Sequence, residues 1–93
     1  MKLTYTAEAI DDLIRLRAFI EEKNPQAAQR VAQTLQKKIQ QLKTFPLIGV
    51  GVEESPDPEV IRDLITGNYI VRYLVHSNKV NILRIWHHKE KRL

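Results

Sequence analysis

The chain predicts an α+β domain of the order β-α-α-β-β-β, a helical hairpin packed on a small antiparallel sheet. Three observations carry this: a meander of apolar runs over residues 60–88, two amphipathic helical segments before it, and an Asn-Pro junction between those helices. The meander, VIRDLITGNYIVRYLVHSNKVNILRIWHH, is broken at Thr66-Gly67-Asn68 and again at Ser77-Asn78. Gly and Asn tolerate the positive φ that tight hairpin turns demand. The runs between are rich in Val, Ile, Leu and Tyr, which suit a pleated surface.

The first strand is short, with Leu3 and Tyr5 on one side, and reads as an edge strand. Thr6 is placed to cap helix 1, and Glu8 lies in its first turn, where the helix dipole favours an anion. Helix 1 extends to about Lys23. Its apolar face is Ile10, Leu13, Ile14, Leu16, Phe19 and Ile20, with Asp11, Asp12, Arg15, Glu21 and Glu22 directed largely elsewhere. Asn24 ends helix 1 and caps helix 2, and Pro25 takes the first helical position, where a missing N–H costs nothing. Helix 2 carries Ala28, Val31, Ala32, Leu35, Ile39 and Leu42 at i, i+3, i+4 and i+7 spacing as far as about Lys43. Phe45-Pro46 stops it. Residues 46–59, with three prolines and two glycines, read as an exposed loop with little regular structure. In the middle strand Tyr69, Val71, Tyr73 and Val75 share one face. In the last, Val80, Ile82, Arg84 and Trp86 alternate with Asn81, Leu83, Ile85 and His87.

At 93 residues the chain fits one domain, residues 1–93. A hydrophobic content of 43% excludes a disordered chain, and the absence of cysteine excludes disulfides and thiolate sites. The N-terminus lacks the apolar core of a signal peptide and no stretch reaches membrane-spanning length, so a cytoplasmic location and no membrane partner are expected. The net charge of +4 is unevenly spread. Residues 24–46 hold Arg30, Lys37, Lys38 and Lys43 and no acid, whereas residues 47–67 hold five acids against Arg62. Residues 68–93 hold six basic groups against Glu90, giving a basic end suited to nucleic acid or an acidic protein.

No metal site and no cofactor are expected. His87 and His88 are adjacent, so on a strand they point to opposite faces. Gly49-Val50-Gly51 precedes no helix signal, which excludes a phosphate loop. The chemistry-bearing group that remains is Arg62, Arg72, Arg84, His87, His88, Lys89, Lys91 and Arg92. Metal-free RNA cleavage needs a general base, a general acid and a cation for the phosphorane; Arg84, His87 and His88 are the candidates.

The landmarks Ala7-Glu8-Ala9-Ile10-Asp11-Asp12-Leu13, Asn24-Pro25-Gln26-Ala27-Ala28, Leu42-Lys43-Thr44-Phe45-Pro46-Leu47-Ile48-Gly49, Ile61-Arg62-Asp63-Leu64, Tyr69-Ile70-Val71-Arg72-Tyr73 and Ile82-Leu83-Arg84-Ile85-Trp86-His87 cover nearly the whole chain. In order and spacing they resemble the RelE/ParE toxin superfamily of bacterial type II toxin–antitoxin systems. The resemblance implies a growth-arresting toxin of a plasmid-stabilisation system. RelE-like members cut mRNA in the ribosome; ParE-like members poison DNA gyrase. The usual RelE-like arginine after the aromatic that opens the middle strand is Ile70 here. The lysines of the preceding strand are replaced by Ile61 and Asp63, and the tail carries no tyrosine. The ParE-like branch is therefore expected, a gyrase-binding inhibitor without chemistry of its own. A ribosome-dependent endoribonuclease and a non-toxic degenerate member are the alternatives. Target binding is expected at Arg62, Arg72, Arg84, His87, Lys89, Lys91 and Arg92. The resemblance also implies a cognate antitoxin, ParD-like or of another ribbon–helix–helix type, forming a hetero-oligomer with the toxin. A toxin homodimer is a further possibility. Leu13, Leu16, Ile20, Leu35 and Ile39 read first as core and are also the candidate contacts for an amphipathic antitoxin segment.

Overall fold

The computed structural model describes residues 1–90. Strand β1 (Lys2–Tyr5) leads into helices α1 (Ala7–Lys23) and α2 (Pro25–Gln40), and a 3-10 turn, Gln41–Lys43, ends the hairpin. Strands β2 (Val50–Gly51), β3 (Ile61–Thr66), β4 (Tyr69–His76) and β5 (Lys79–His87) follow. The sheet order is β1-β5-β4-β3-β2. The antiparallel meander β3-β4-β5 stands as expected, but the sheet is larger and mixed. β1 pairs parallel with β5, Leu3 beside Val80 and Tyr5 beside Ile82. The loop of residues 46–59 contributes β2, with Val50 opposite Asp63.

The local signals act as their chemistry dictates. Thr6 Oγ1 accepts from Ala9 N at 3.0 Å. The Asn24 N–H donates to Ile20 O at 2.8 Å, closing α1, while its side-chain oxygen accepts from Ala27 N at 3.1 Å, opening α2. Ser77 and Asn78 both take positive φ, 50° and 61°, in the two-residue turn between His76 and Lys79. Gly67 takes φ 59° in the turn between Thr66 and Tyr69.

The core joins Ala9, Leu16, Leu35, Ile39 and Leu42 of the helical hairpin to Leu64, Val71, Tyr73, Val80, Ile82 and Ile85 of the sheet. Two expectations fail here. Strict alternation in β5 would set Arg84 and Trp86 with Ile82. Instead Arg72 pairs with Arg84 and Tyr73 with Ile82, leaving Leu83 as an extra, bulged residue. A bulge of one residue inverts the alternation beyond it. Ile85 is therefore fully buried in the core alongside Val80 and Ile82. Helix α1 is likewise rotated from its expected seat. Ile10, Ile14 and Phe19 are 46%, 63% and 57% exposed, whereas Asp12, expected outside, is 3% exposed. The buried stripe runs Ala9, Asp12 and Leu16, at i, i+3 and i+7, with a carboxylate in the middle.

The segment after the 3-10 turn is tied down by Tyr73. Its hydroxyl donates to Pro46 O at 2.7 Å and accepts from Gly49 N at 2.9 Å. A Cβ on Gly49 would lie 2.6 Å from that hydroxyl and 2.9 Å from Asp63 O. Gly49→Ala is therefore expected to destabilise the fold by about 1–3 kcal/mol, the usual cost of overpacking, read as a lowered urea midpoint with an unchanged slope.

Candidate functional site

Where β1 ends at Tyr5, the edge of β5 is taken over by side chains. Thr6 N donates to Ile82 O at 2.9 Å and Thr6 Oγ1 to Leu83 O at 2.8 Å. Further along α1, Asp12 Oδ2 accepts from Ile85 N at 2.8 Å. The same carboxylate receives Arg84 twice, Nε at 2.8 Å and Nη2 at 3.0 Å, and Arg15 Nη2 at 3.2 Å. Arg15 Nη1 reaches Glu90 Oε2 at 2.6 Å, and Glu90 Oε1 accepts from His87 N at 2.9 Å. A continuous polar chain thus ties the bulge of β5 through α1 to the residues after β5.

Burial alone would raise the Asp12 carboxyl, but the hydrogen bonds from Arg84, the Ile85 N–H and Arg15 outweigh it and hold it below the ordinary carboxylate range. A carboxyl whose pKa is lower folded than unfolded adds stability above its unfolded pKa, about 3.9, and loses it as pH falls through the folded value. The stability advantage of the wild type over Asp12→Asn is therefore expected to hold at pH 7 and to shrink progressively below about pH 4. Urea titrations of both proteins across that range check it.

The expected cationic residues occupy separate settings. Among the described residues Arg62 donates only to backbone carbonyls: Glu59 O at 2.9 Å, Gly49 O at 2.9 Å and Leu47 O at 3.3 Å. Arg72 grips Asp63 through Nε at 2.8 Å and Nη2 at 3.0 Å, and its guanidinium lies 5.1 Å from the centre of the Trp86 ring. Arg84 is engaged by Asp12. His87 stands edge-on to Tyr69, 5.2 Å between ring centres, and stacks on His88 at 4.8 Å. Its Nδ1 accepts from Lys89 N at 3.1 Å, and the Lys89 side chain is exposed. Lys91 and Arg92 lie outside the described residues.

The five expected antitoxin-contacting residues do come together. Leu13, Leu16, Ile20, Leu35 and Ile39 all line one apolar groove of about 300 Å³ between α1 and α2. Leu16, Leu35 and Ile39 are buried and form its floor, while Leu13 and Ile20 are half-buried at its rim. A second groove, about 560 Å³, is lined by Arg15, Leu16, Phe19, Ile20, Tyr69, His87, Lys89 and Glu90. Leu16 and Ile20 belong to both, so α1 is the wall between them. Sequence reasoning missed Asp12, Arg15 and Glu90. The one signal for Asp12 was an acid at the helical spacing of Ala9 and Leu16.

Together these features define a small α+β protein with apolar grooves flanking its first helix and no metal-binding cluster of His, Cys, Asp or Glu among the described residues. The family model of the ParE toxin of type II toxin-antitoxin systems, parDE, matches residues 3–92, and the chain belongs to that family. A chain of the chromosomal ParDE system from P. aeruginosa has the same fold at 23% identity, with a TM-score of 0.76, over 94% of this chain and 95% of that one. The conserved hypothetical protein HP0894 from Helicobacter pylori is similar at 21% identity and a TM-score of 0.59, over 97% of both chains. No curated protein sequence matches significantly. Membership makes this chain the toxin of a toxin–antitoxin pair and implies an antitoxin partner. No helix among the described residues is long and apolar enough to cross a membrane.

Proposed function

We propose that this toxin acts in the bacterial cytoplasm by binding DNA gyrase, without a covalent step. A ParD-like antitoxin segment laid along α1 holds it inactive. The observation that carries the non-cleaving reading is the engagement of Arg84 by Asp12. A ribonuclease with Arg84 as its cation needs that guanidinium free to meet charge as it develops on phosphorus. Arg62 and Arg72 are satisfied within the fold as well, so in this reading the three arginines hold shape. His87 and Lys89, continued by Lys91 and Arg92, carry the target contact. The antitoxin segment uses apolar side chains against Leu13, Ile20 and Phe19, the wall between the grooves, with acidic groups toward Arg15 and Lys89. Amphipathic segments commonly dock in this way.

Induced expression without antitoxin, followed by parallel assays, tests the reading. The expected result is growth arrest, loss of gyrase supercoiling or accumulation of cleaved DNA complexes, and intact mRNA. Cuts in the ribosomal A site that vanish in Arg84→Ala or His88→Ala would establish the endoribonuclease instead. No arrest at all would mark a degenerate family member.

A further inference from the structure

We infer that the turn 45–50, with Ile65 beside it, is a second contact with the protein target, one that takes a segment carrying apolar side chains together with Lys or Arg. Phe45, Leu47, Ile48, Val50 and Ile65 are 60%, 61%, 54%, 63% and 66% exposed. None of the five lines either groove along α1. Their exposure is not that of a frayed loop. The Phe45 N–H donates to Gln41 O at 2.8 Å and the Ile48 N–H to Phe45 O at 3.2 Å. Between them Tyr73 holds Pro46 and Gly49, and the Arg62 guanidinium holds the Leu47 and Gly49 carbonyls. Pairing of Val50 with Asp63 brings it to the strand that carries Ile65 two residues on, on the same face. Large apolar side chains held in water on an ordered backbone, three on the turn and two on the sheet strands beside it, mark a surface that is covered in use.

Charge selects what covers it. Arg62 also holds the Glu59 carbonyl at 2.9 Å, so the acidic segment abuts the turn. Glu53, Glu54, Asp57 and Glu59 are exposed, and none forms a salt bridge among the described residues. Nucleic acid and an anionic lipid surface are repelled by such a rim. A second copy in a two-fold contact brings the same four carboxylates face to face. A basic, apolar protein segment satisfies both features, with charge speeding encounter and apolar side chains supplying the hold.

The inference rests on the toxin reading, and the experiment separates the two. The full chain is compared as wild type, as Leu47→Ser with Ile48→Ser, and as Glu53→Lys with Glu54→Lys. The readouts are growth arrest, inhibition of purified gyrase, affinity for the cognate antitoxin and the melting temperature. Both variants are expected to lose growth arrest and to inhibit gyrase roughly tenfold or more weakly. Antitoxin affinity and melting temperature should stay as in the wild type. Variants that arrest growth as the wild type does overturn the second contact and leave the toxin reading intact. A wild type that arrests growth without affecting gyrase removes gyrase as the target, and the variants' effect on arrest then decides the contact alone. A wild type that does not arrest growth overturns both. A wild-type dimer that the serine variant dissolves in sedimentation assigns the surface to self-association and overturns the inference.

Discussion

Asp12→Ala is expected to lower folding stability by about 3 kcal/mol. Asp12 is the only acid among the described residues that is buried, and its carboxylate serves three donor groups on two elements. Removing it strands the Ile85 N–H on the edge of β5 that β1 no longer covers beyond Ile82, which alone costs about 1–3 kcal/mol. It also frees the Arg84 guanidinium and takes one of two carboxylate partners from Arg15, the two side chains being 39% and 45% exposed. Water takes up much of that charge, so this part adds about 1 kcal/mol or less. A small domain has about 5–15 kcal/mol in total, so the loss is a large share. Urea unfolding of the two proteins at pH 7 measures it. Asp12→Asn, which keeps an acceptor and the volume, should fall between them.

Ile20→Asp is expected to weaken antitoxin binding by about two orders of magnitude, about 2.7 kcal/mol. Ile20 lines both grooves. A carboxylate there must be desolvated under any apolar segment that crosses α1. Ile20 is half-buried, so Phe19→Ala provides the control for folding. At 57% exposure Phe19 contributes little to the core, yet it lines the second groove and should still cost about tenfold in affinity. Titration calorimetry with the cognate antitoxin, alongside melting curves, distinguishes lost contact from lost fold. Full affinity in both variants would move the antitoxin away from α1.

What the sequence made legible was local. Asn24-Pro25 and the two hairpin turns each act through atoms within a few residues, so their chemistry can be read from the string. Leu13, Leu16, Ile20, Leu35 and Ile39 were legible as apolar helix faces because they repeat at helical spacing; that those faces leave a groove between them depends on how α1 seats, which the spacing does not record. The bulge at Leu83 was not legible, because Val80, Ile82, Arg84 and Trp86 alternate as though nothing intervened. The bulge is held by Thr6 on Leu83 and by Asp12 on Ile85, both more than 70 positions away in sequence. For the same reason the arginines looked like one basic group. Arg72 meets Asp63 only through the register of β3 on β4, and Arg84 meets Asp12 only once α1 has turned its acid inward. The parallel seat of β1 beside β5 likewise joins the two ends of the chain, which no local pattern records.

The central claim is that this ParE-family toxin inhibits by binding and not by cleaving. Titrating the purified chain into a gyrase supercoiling reaction tests it most directly. Supercoiling should fall with added toxin and return when the cognate antitoxin is added. Undiminished supercoiling at saturating toxin, with mRNA cut in a translating extract by the same preparation, would contradict it.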